Sequence, residues 1–279
     1  MKGKRTGAWD SCKVALLRSV LVVALFCALS HNLRSRFPQS GVDHASLFED
    51  RDFEESSAIV IPRKPSKEEL MQQESKSAVL QKFGRGPLLV EFHLQIWGEL
   101  DNRPTDHFFT VELASPELVP VTTHYFLEQV SKGLWSGTSF HINAEHVIMA
   151  RPVNGNGQHS KRAEFAESEY GTLPFIEYSP LYPHLPFTLG FTAPTQNQPS
   201  SIYINKKYNP QHAREACFAQ VVVGRSTIEK LAQLQGYAHD PTRIRPVDII
   251  AVRQVSLEKL SETATKEYLT IKSAQVSFG

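Results

Sequence analysis

Residues 88–96 read Leu-Leu-Val-Glu-Phe-His-Leu-Gln-Ile, so Val90, Phe92, Leu94 and Ile96 alternate with Glu91, His93 and Gln95. Successive side chains of an extended strand point to opposite faces, so this period of two marks a strand buried on one side and wetted on the other. A turn follows in Gly98-Glu-Leu-Asp-Asn-Arg-Pro104, and alternation resumes through Phe109, Val111 and Leu113, which predicts an antiparallel hairpin. Further strands are expected at 139–141, 147–151, 187–192, 202–205, 217–222 and 247–255. Two helices interrupt them. The first follows Pro120, with Thr122 or Thr123 as cap, Phe126, Leu127 and Val130 as apolar face, and Gly133 at its end. The second opens on Ser226-Thr-Ile-Glu229, which has the form of a capping box. It presents Ile228, Leu231 and Leu234, and stops at Gly236. Many short strands with two helices predict a mainly β domain over residues 87–257, a closed antiparallel barrel or sandwich whose ends the helices cover.

The flanks are of another kind. Lys2, Lys4, Arg5 and Lys13 make residues 1–13 a basic flank, and residues 14–33 form a mostly apolar run. That run is short for a membrane span of about 20 residues. It reads either as a signal anchor, with Arg18 snorkelling to the interface, or as a signal peptide cleaved near Ala28-Leu29-Ser30. In both cases the basic flank stays cytoplasmic and the rest enters a lumen. The expectation is a single-pass type II protein of a secretory-pathway membrane, ER or Golgi, or a luminal or secreted protein after cleavage. Residues 34–86 are a polar stem, in which Ser66-Lys-Glu-Glu69 predicts one capped helix. The tail 258–279 is polar and carries no assigned role. Across the chain 30 Lys and Arg balance 29 Asp and Glu, a net charge of +1 that gives no field for nucleic acid. Nothing in the sequence indicates an oligomeric state or calls for a cofactor.

The order of elements, together with particular segments, resembles the cyclophilin-type peptidyl-prolyl cis-trans isomerase family. Phe109-Thr-Val-Glu-Leu-Ala-Ser-Pro-Glu-Leu-Val-Pro-Val-Thr-Thr-His-Tyr-Phe126 is similar to the family's second strand, its Val-Pro-Lys-Thr turn and its first helix. Ser139-Phe-His141 is similar to its Phe-His-Arg segment. Leu189-Gly-Phe-Thr-Ala193 and Ser200-Ser-Ile-Tyr-Ile204 are similar to its Met-Ala-Asn and Ser-Gln-Phe-Phe-Ile segments, and Cys217-Phe-Ala-Gln-Val-Val-Val-Gly224 to its Val-Phe-Gly-x-Val-x-x-Gly strand. The resemblance implies a barrel that binds proline-containing peptide or protein segments.

Rotating an X-Pro bond crosses a barrier of roughly 18–20 kcal/mol set by amide resonance. Lowering it takes an apolar grip on the proline ring and a donor aimed at the imide. The family's donor is an arginine after Phe-His, with Phe, Met and Gln a few residues on. The matching positions here are Ile142, Val147, Ile148 and Ala150. Tyr203 stands at a usual Phe, Phe191 at a smaller residue, and Glu215 near a usual His, and the family's Trp has no counterpart in 205–214. The resemblance therefore implies a peptide groove of Phe140, His141, Val147, Ile148, Ala150, Phe191, Thr192 and Tyr203, with Ile142, Val147, Ala150 and Glu215 as degenerate catalytic positions. Isomerase activity is expected to be weak or lost. Arg151 is a candidate substitute donor, although alternation points it away from Ala150. The alternatives are an active isomerase with a rearranged site and a type II membrane glycosyltransferase, suggested by the Asp-x-Asp form of Asp50-Arg51-Asp52 in the stem. Gly155-Asn-Gly157 opens no helix and is read as a loop. No histidines pair at metal-ligand spacing, His141 and His146 falling across a turn, and Cys217 is read as inert packing in an apolar strand.

Overall fold

A computed structural model of the chain describes residues 63–98, 103–153, 161–193, 199–212 and 214–276, all within one compact unit, Pro62–Gly279. The predicted membrane segment 14–33, its basic flank and Asp50-Arg51-Asp52 lie outside the described residues. Among those described, no helix is long and apolar enough to cross a membrane.

Nine strands follow one another: β1 (Leu89–Trp97), β2 (Pro104–Leu113), β3 (Thr138–Asn143), β4 (Val147–Arg151), β5 (Thr188–Phe191), β6 (Ile202–Asn205), β7 (Ala216–Val223), β8 (Gly236–Tyr237) and β9 (Asp240–Val255). Hydrogen-bonded neighbours run β1-β2-β7-β5-β6-β4-β3-β9, and β1 pairs again with β9, so eight antiparallel strands close a barrel. The two-residue β8 is an appendage on β9. The expected hairpin is β1 and β2, in register from Leu89↔Glu112 to Trp97↔Pro104. Its alternation is realised: Val90, Phe92, Leu94 and Ile96 are buried with Phe109 and Val111, and the Phe92 and Phe109 rings stack 4.6 Å apart. Strand β9 starts earlier than the sequence suggests, because its first residues pair with β8 and with Ile142 of β3.

Among the described residues five helices lie about the barrel: α1 (Lys67–Lys82), α2 (Pro120–Ser131), the short α3 (Arg162–Glu167), α4 (Arg225–Ala232) and α5 (Glu262–Val276). Helix α1 begins at the predicted capping box. The Ser66 hydroxyl accepts the Glu69 N–H at 3.1 Å, and the Glu69 carboxylate accepts the Ser66 N–H at 2.7 Å. Val79 of α1 joins the barrel's own core cluster, and Lys82 reaches Glu128 of α2 at 2.6 Å. The last part of the predicted stem is thus part of the folded body. The tail also has a place: Ala264 and Tyr268 of α5 pack with Leu89, Val222 and Val223 on the outside of β1 and β7. Residues 67–82 and 262–276, on either side of the 87–257 span, therefore pack against barrel elements. Helix α1 is legible from its capping box, whereas α5 is recognised by the surface it covers.

Two helix starts differ from the sequence reading. Helix α2 begins at Pro120 after Val119, not at a threonine cap, and no side chain of its own closes it. The Thr122 N–H and hydroxyl instead donate to buried Glu177 at 2.7 and 2.9 Å. Helix α4 begins at Arg225, before the expected box of Ser226 and Glu229. Its cap position is Gly224, at φ +76°, where a Cβ would fall 2.6 Å from the Phe108 carbonyl oxygen. The Gly224 N–H donates to Glu267 of α5 at 2.9 Å. Both starts are closed by a carboxylate from a distant segment, which satisfies free N–H groups and faces the positive end of the helix dipole.

Glu177→Ala leaves a buried N–H and hydroxyl without their acceptor. We expect a loss of about 1–3 kcal/mol in unfolding free energy, read by denaturant titration, with Glu177→Gln closer to the parent.

Candidate functional site

The site that the resemblance implies lies on the outside of β3, β4, β6 and β5. Ladder register decides what reaches it, since residues directly opposite share a face. Met149 faces Tyr203 and Ile142, and Tyr203 faces Gly190. Ala150 faces Phe140 and Ile202, Ile148 faces Ile204, and Phe191 faces Ile202, all of them members of the interior cluster. Phe140, Ile148, Ala150 and Phe191 are therefore barrel core and do not line the groove. Phe191 cannot obstruct a groove, because its ring stacks on Phe218 at 4.6 Å inside the barrel. The one-residue offset on β4 also brings Arg151, two residues beyond Met149, to the outer face. The sequence reading set Arg151 opposite Ala150 correctly but took Ala150 for the outward member.

Of the remaining groove candidates, His141, Ile142 and Thr192 are half-buried, as are Met149 and Arg151. The Thr192 hydroxyl accepts the Ser201 N–H at 2.9 Å and ties β5 to the start of β6. His141 sits in a bulge of β3, its Nδ1 3.2 Å from the Ser139 carbonyl oxygen.

Tyr203 shares the outer face but is fully buried. Its ring lies so close over Gly190 that a Cβ there would be 2.4 Å from the phenol. Two histidines from loops cover it: His184, with rings 6.0 Å apart, and His212 of the short turn Pro210–His212, at 4.9 Å. His184 Nε2 is 3.1 Å from the Glu215 carbonyl oxygen, which can only accept, so Nε2 carries the hydrogen. His184 Nδ1 is then the acceptor for the Tyr203 hydroxyl and the Asn205 amide, each at 3.4 Å. His212 Nδ1 donates to the Glu215 carboxylate at 2.6 Å, and His146 stacks on His212 at 5.4 Å. Asn205 also donates to the Thr188 hydroxyl at 2.9 Å and accepts from Asn209 at 2.7 Å. The expected apolar platform for a proline ring is thus roofed by a polar network. Val147 is buried beside it, opposite Asn205. Glu215 holds His212 and does not stand free to meet a substrate.

Burial pushes the Tyr203 hydroxyl well above its ordinary range, with the Glu215 carboxylate adding to it. Burial likewise pushes the Cys217 thiol up to about 12, so it stays protonated and unreactive. Among the described residues no group of three His, Cys, Asp or Glu side chains suits a metal ion. The network went unread in the sequence because His146, His184, Tyr203, His212 and Glu215 come from separate loops and one strand. The three histidines are spaced at no motif interval.

Burial also holds His184 below the usual histidine range, and burial with neighbouring His212 does the same to His146. The unfolded chain therefore takes up protons first as pH falls below about 6.5, so unfolding free energy drops as pH falls from there. Denaturant midpoints measured between pH 7.5 and pH 5 should fall, and less steeply in His184→Gln.

The sequence profile of the family described as cyclophilin type peptidyl-prolyl cis-trans isomerase/CLD matches residues 105–254, more than half of the chain. No curated protein sequence matches. Among solved structures, the chain is similar to a cyclophilin type peptidyl-prolyl cis-trans isomerase of Cryptosporidium parvum, at 18% identity and a TM-score of 0.47, over 61% of this chain and 98% of that one. A second structure of that protein, determined in the presence of the dipeptide Ala-Pro, gives 18% identity and 0.46, over 60% and 99%. With that profile spanning β2 to β9 of the closed barrel, the chain belongs to the cyclophilin-type peptidyl-prolyl cis-trans isomerase family.

Proposed function

We propose that this cyclophilin-family domain is a binding module for proline-containing peptide or protein segments, displayed on the luminal side of a secretory-pathway membrane, with isomerisation weak or lost. The observation that carries the reading is the roofed ring of Tyr203. It sits under His184 and His212, with Met149 between it and Ile142, which has no donor to offer an imide. A positioned charged donor is often worth two to three powers of ten in rate. The half-exposed pair Ile142 and Met149 still offers apolar surface to an extended segment. The luminal placement rests on the basic flank and apolar run of residues 1–33.

A second reading, an active isomerase with a rearranged donor, is favoured by one observation: Arg151 lies on the same face as Met149 and Tyr203. Isomerisation of Ala-Pro peptides, followed without a coupled protease on the full-length protein in detergent, separates the two. We expect no rate above the uncatalysed one. A clear rate abolished by Arg151→Ala sinks the binding-module reading and establishes the second. Submicromolar cyclosporin binding would likewise count against a closed groove. Carbonate extraction of membranes, with sizing of the retained protein, tests the anchor: full-length protein in the pellet is expected, and shortened protein in the supernatant would mean cleavage.

A further inference from the structure

The outer face beside Ile142 and Met149 is flanked by three arginines and a histidine drawn from four elements. Arg151 ends β4, His141 sits in the bulge of β3, Arg243 on β9 is directly opposite Ile142, and Arg162 opens α3. Ile142 is in turn opposite Met149, so an apolar pair lies between Arg243 on one side and Arg151 farther along β4. Arg243 meets Asp240 at 3.3 Å, and Asp240 also accepts from Thr242, so part of its charge is answered within the chain. Across Ser139 from Arg151 stands Asp248, whose carboxylate accepts the Trp97 indole N–H at 3.4 Å. Burial first, then the guanidinium groups of Arg243 and Arg162, hold Arg151 below its usual range. His141 is lowered by burial and by the same arginines together with Arg151, against a rise from the Ser139 carbonyl.

Resting on the peptide-binding reading above, we propose that this face selects proline-containing segments with acidic side chains on both sides of the proline. The proline would lie on Ile142 and Met149, and the carboxylates would reach Arg151 and Arg243. Spacing favours a run of carboxylates over one phosphate. Neighbouring strands lie about 4.8 Å apart, so side chains on β4 and β9, with β3 between, are roughly 10 Å apart at the backbone. A single phosphate needs its donors to converge within about 3 Å of its oxygens. An extended peptide places residues i and i+2 about 6.6–7 Å apart on one face, which suits separate guanidinium partners.

The test uses the full-length protein in detergent and three fluorescent Ala-Pro peptides: one flanked by glutamates on both sides, its glutamine twin, and one carrying a single phosphoserine. Anisotropy titrations should show the glutamate peptide binding about tenfold more tightly than the glutamine twin. The preference should shrink in about 0.5 M salt and be lost in Arg151→Ala/Arg243→Ala. Thermal melts of that variant matching the parent show that the fold is kept. Equal binding of the glutamate and glutamine peptides overturns this inference and leaves the binding-module reading standing. Tighter binding of the phosphoserine peptide than of the glutamate peptide overturns it in favour of a phosphate site. Binding of none of the three overturns both.

Discussion

The pairing of β1 with β9 holds the rest of this structure in place. Leu89 meets Val255 and Gln95 meets Asp248 across strands whose partners are more than 150 residues apart in the chain. That ladder turns a curved sheet into a ring and leaves the eight barrel strands without a free edge. It also fixes an inside and an outside. Phe92, Phe109, Phe126, Phe140, Phe191 and Phe218 converge inside in a chain of ring contacts. That division sets the candidate site, because a strand residue belongs either to this cluster or to the outer face.

Segments beyond the barrel make the same division useful a second time. Helix α5 covers the outside of β1 and β7, and its Glu267 closes the start of α4. Helix α1 lies against α2, whose own start is closed by Glu177, to which Gln72 of α1 also donates at 3.3 Å. The flanking helices are thus joined to the barrel by buried apolar contact and by carboxylates that serve two elements at once. Removing such a carboxylate leaves orphaned donors on another segment, so the flanks and the barrel are coupled in stability.

On the outer face the scaffold carries a covered aromatic ring. An aromatic ring occupies the expected place, but Gly190 lets Tyr203 lie flat against the strand beneath it, and a histidine roof bound by Glu215 and Asn205 covers it. The accessible part of the face shifts toward Ile142, Met149 and the arginines.

The sequence by itself determined most of the strands and their alternation, the family and the capping box of α1. Each of these is a local property, written in a period, a motif or a single residue type. It placed β4 and β6 at their observed limits and left unread β8, α3, α5, the start of β2 at Pro104 and the early start of β9, where pairing with β8 and β3 extends the strand. It did not decide which of Ile148, Met149, Ala150 and Arg151 faced outward. Both alternations along β4 are apolar enough to be core, and the choice is made by register against β3 and β6. Nor could it join Glu177 to Thr122, Glu267 to Gly224, or His184 and His212 to Tyr203. Those contacts link residues that no local rule relates, and they exist because closing the ring brings the loops at its rim together.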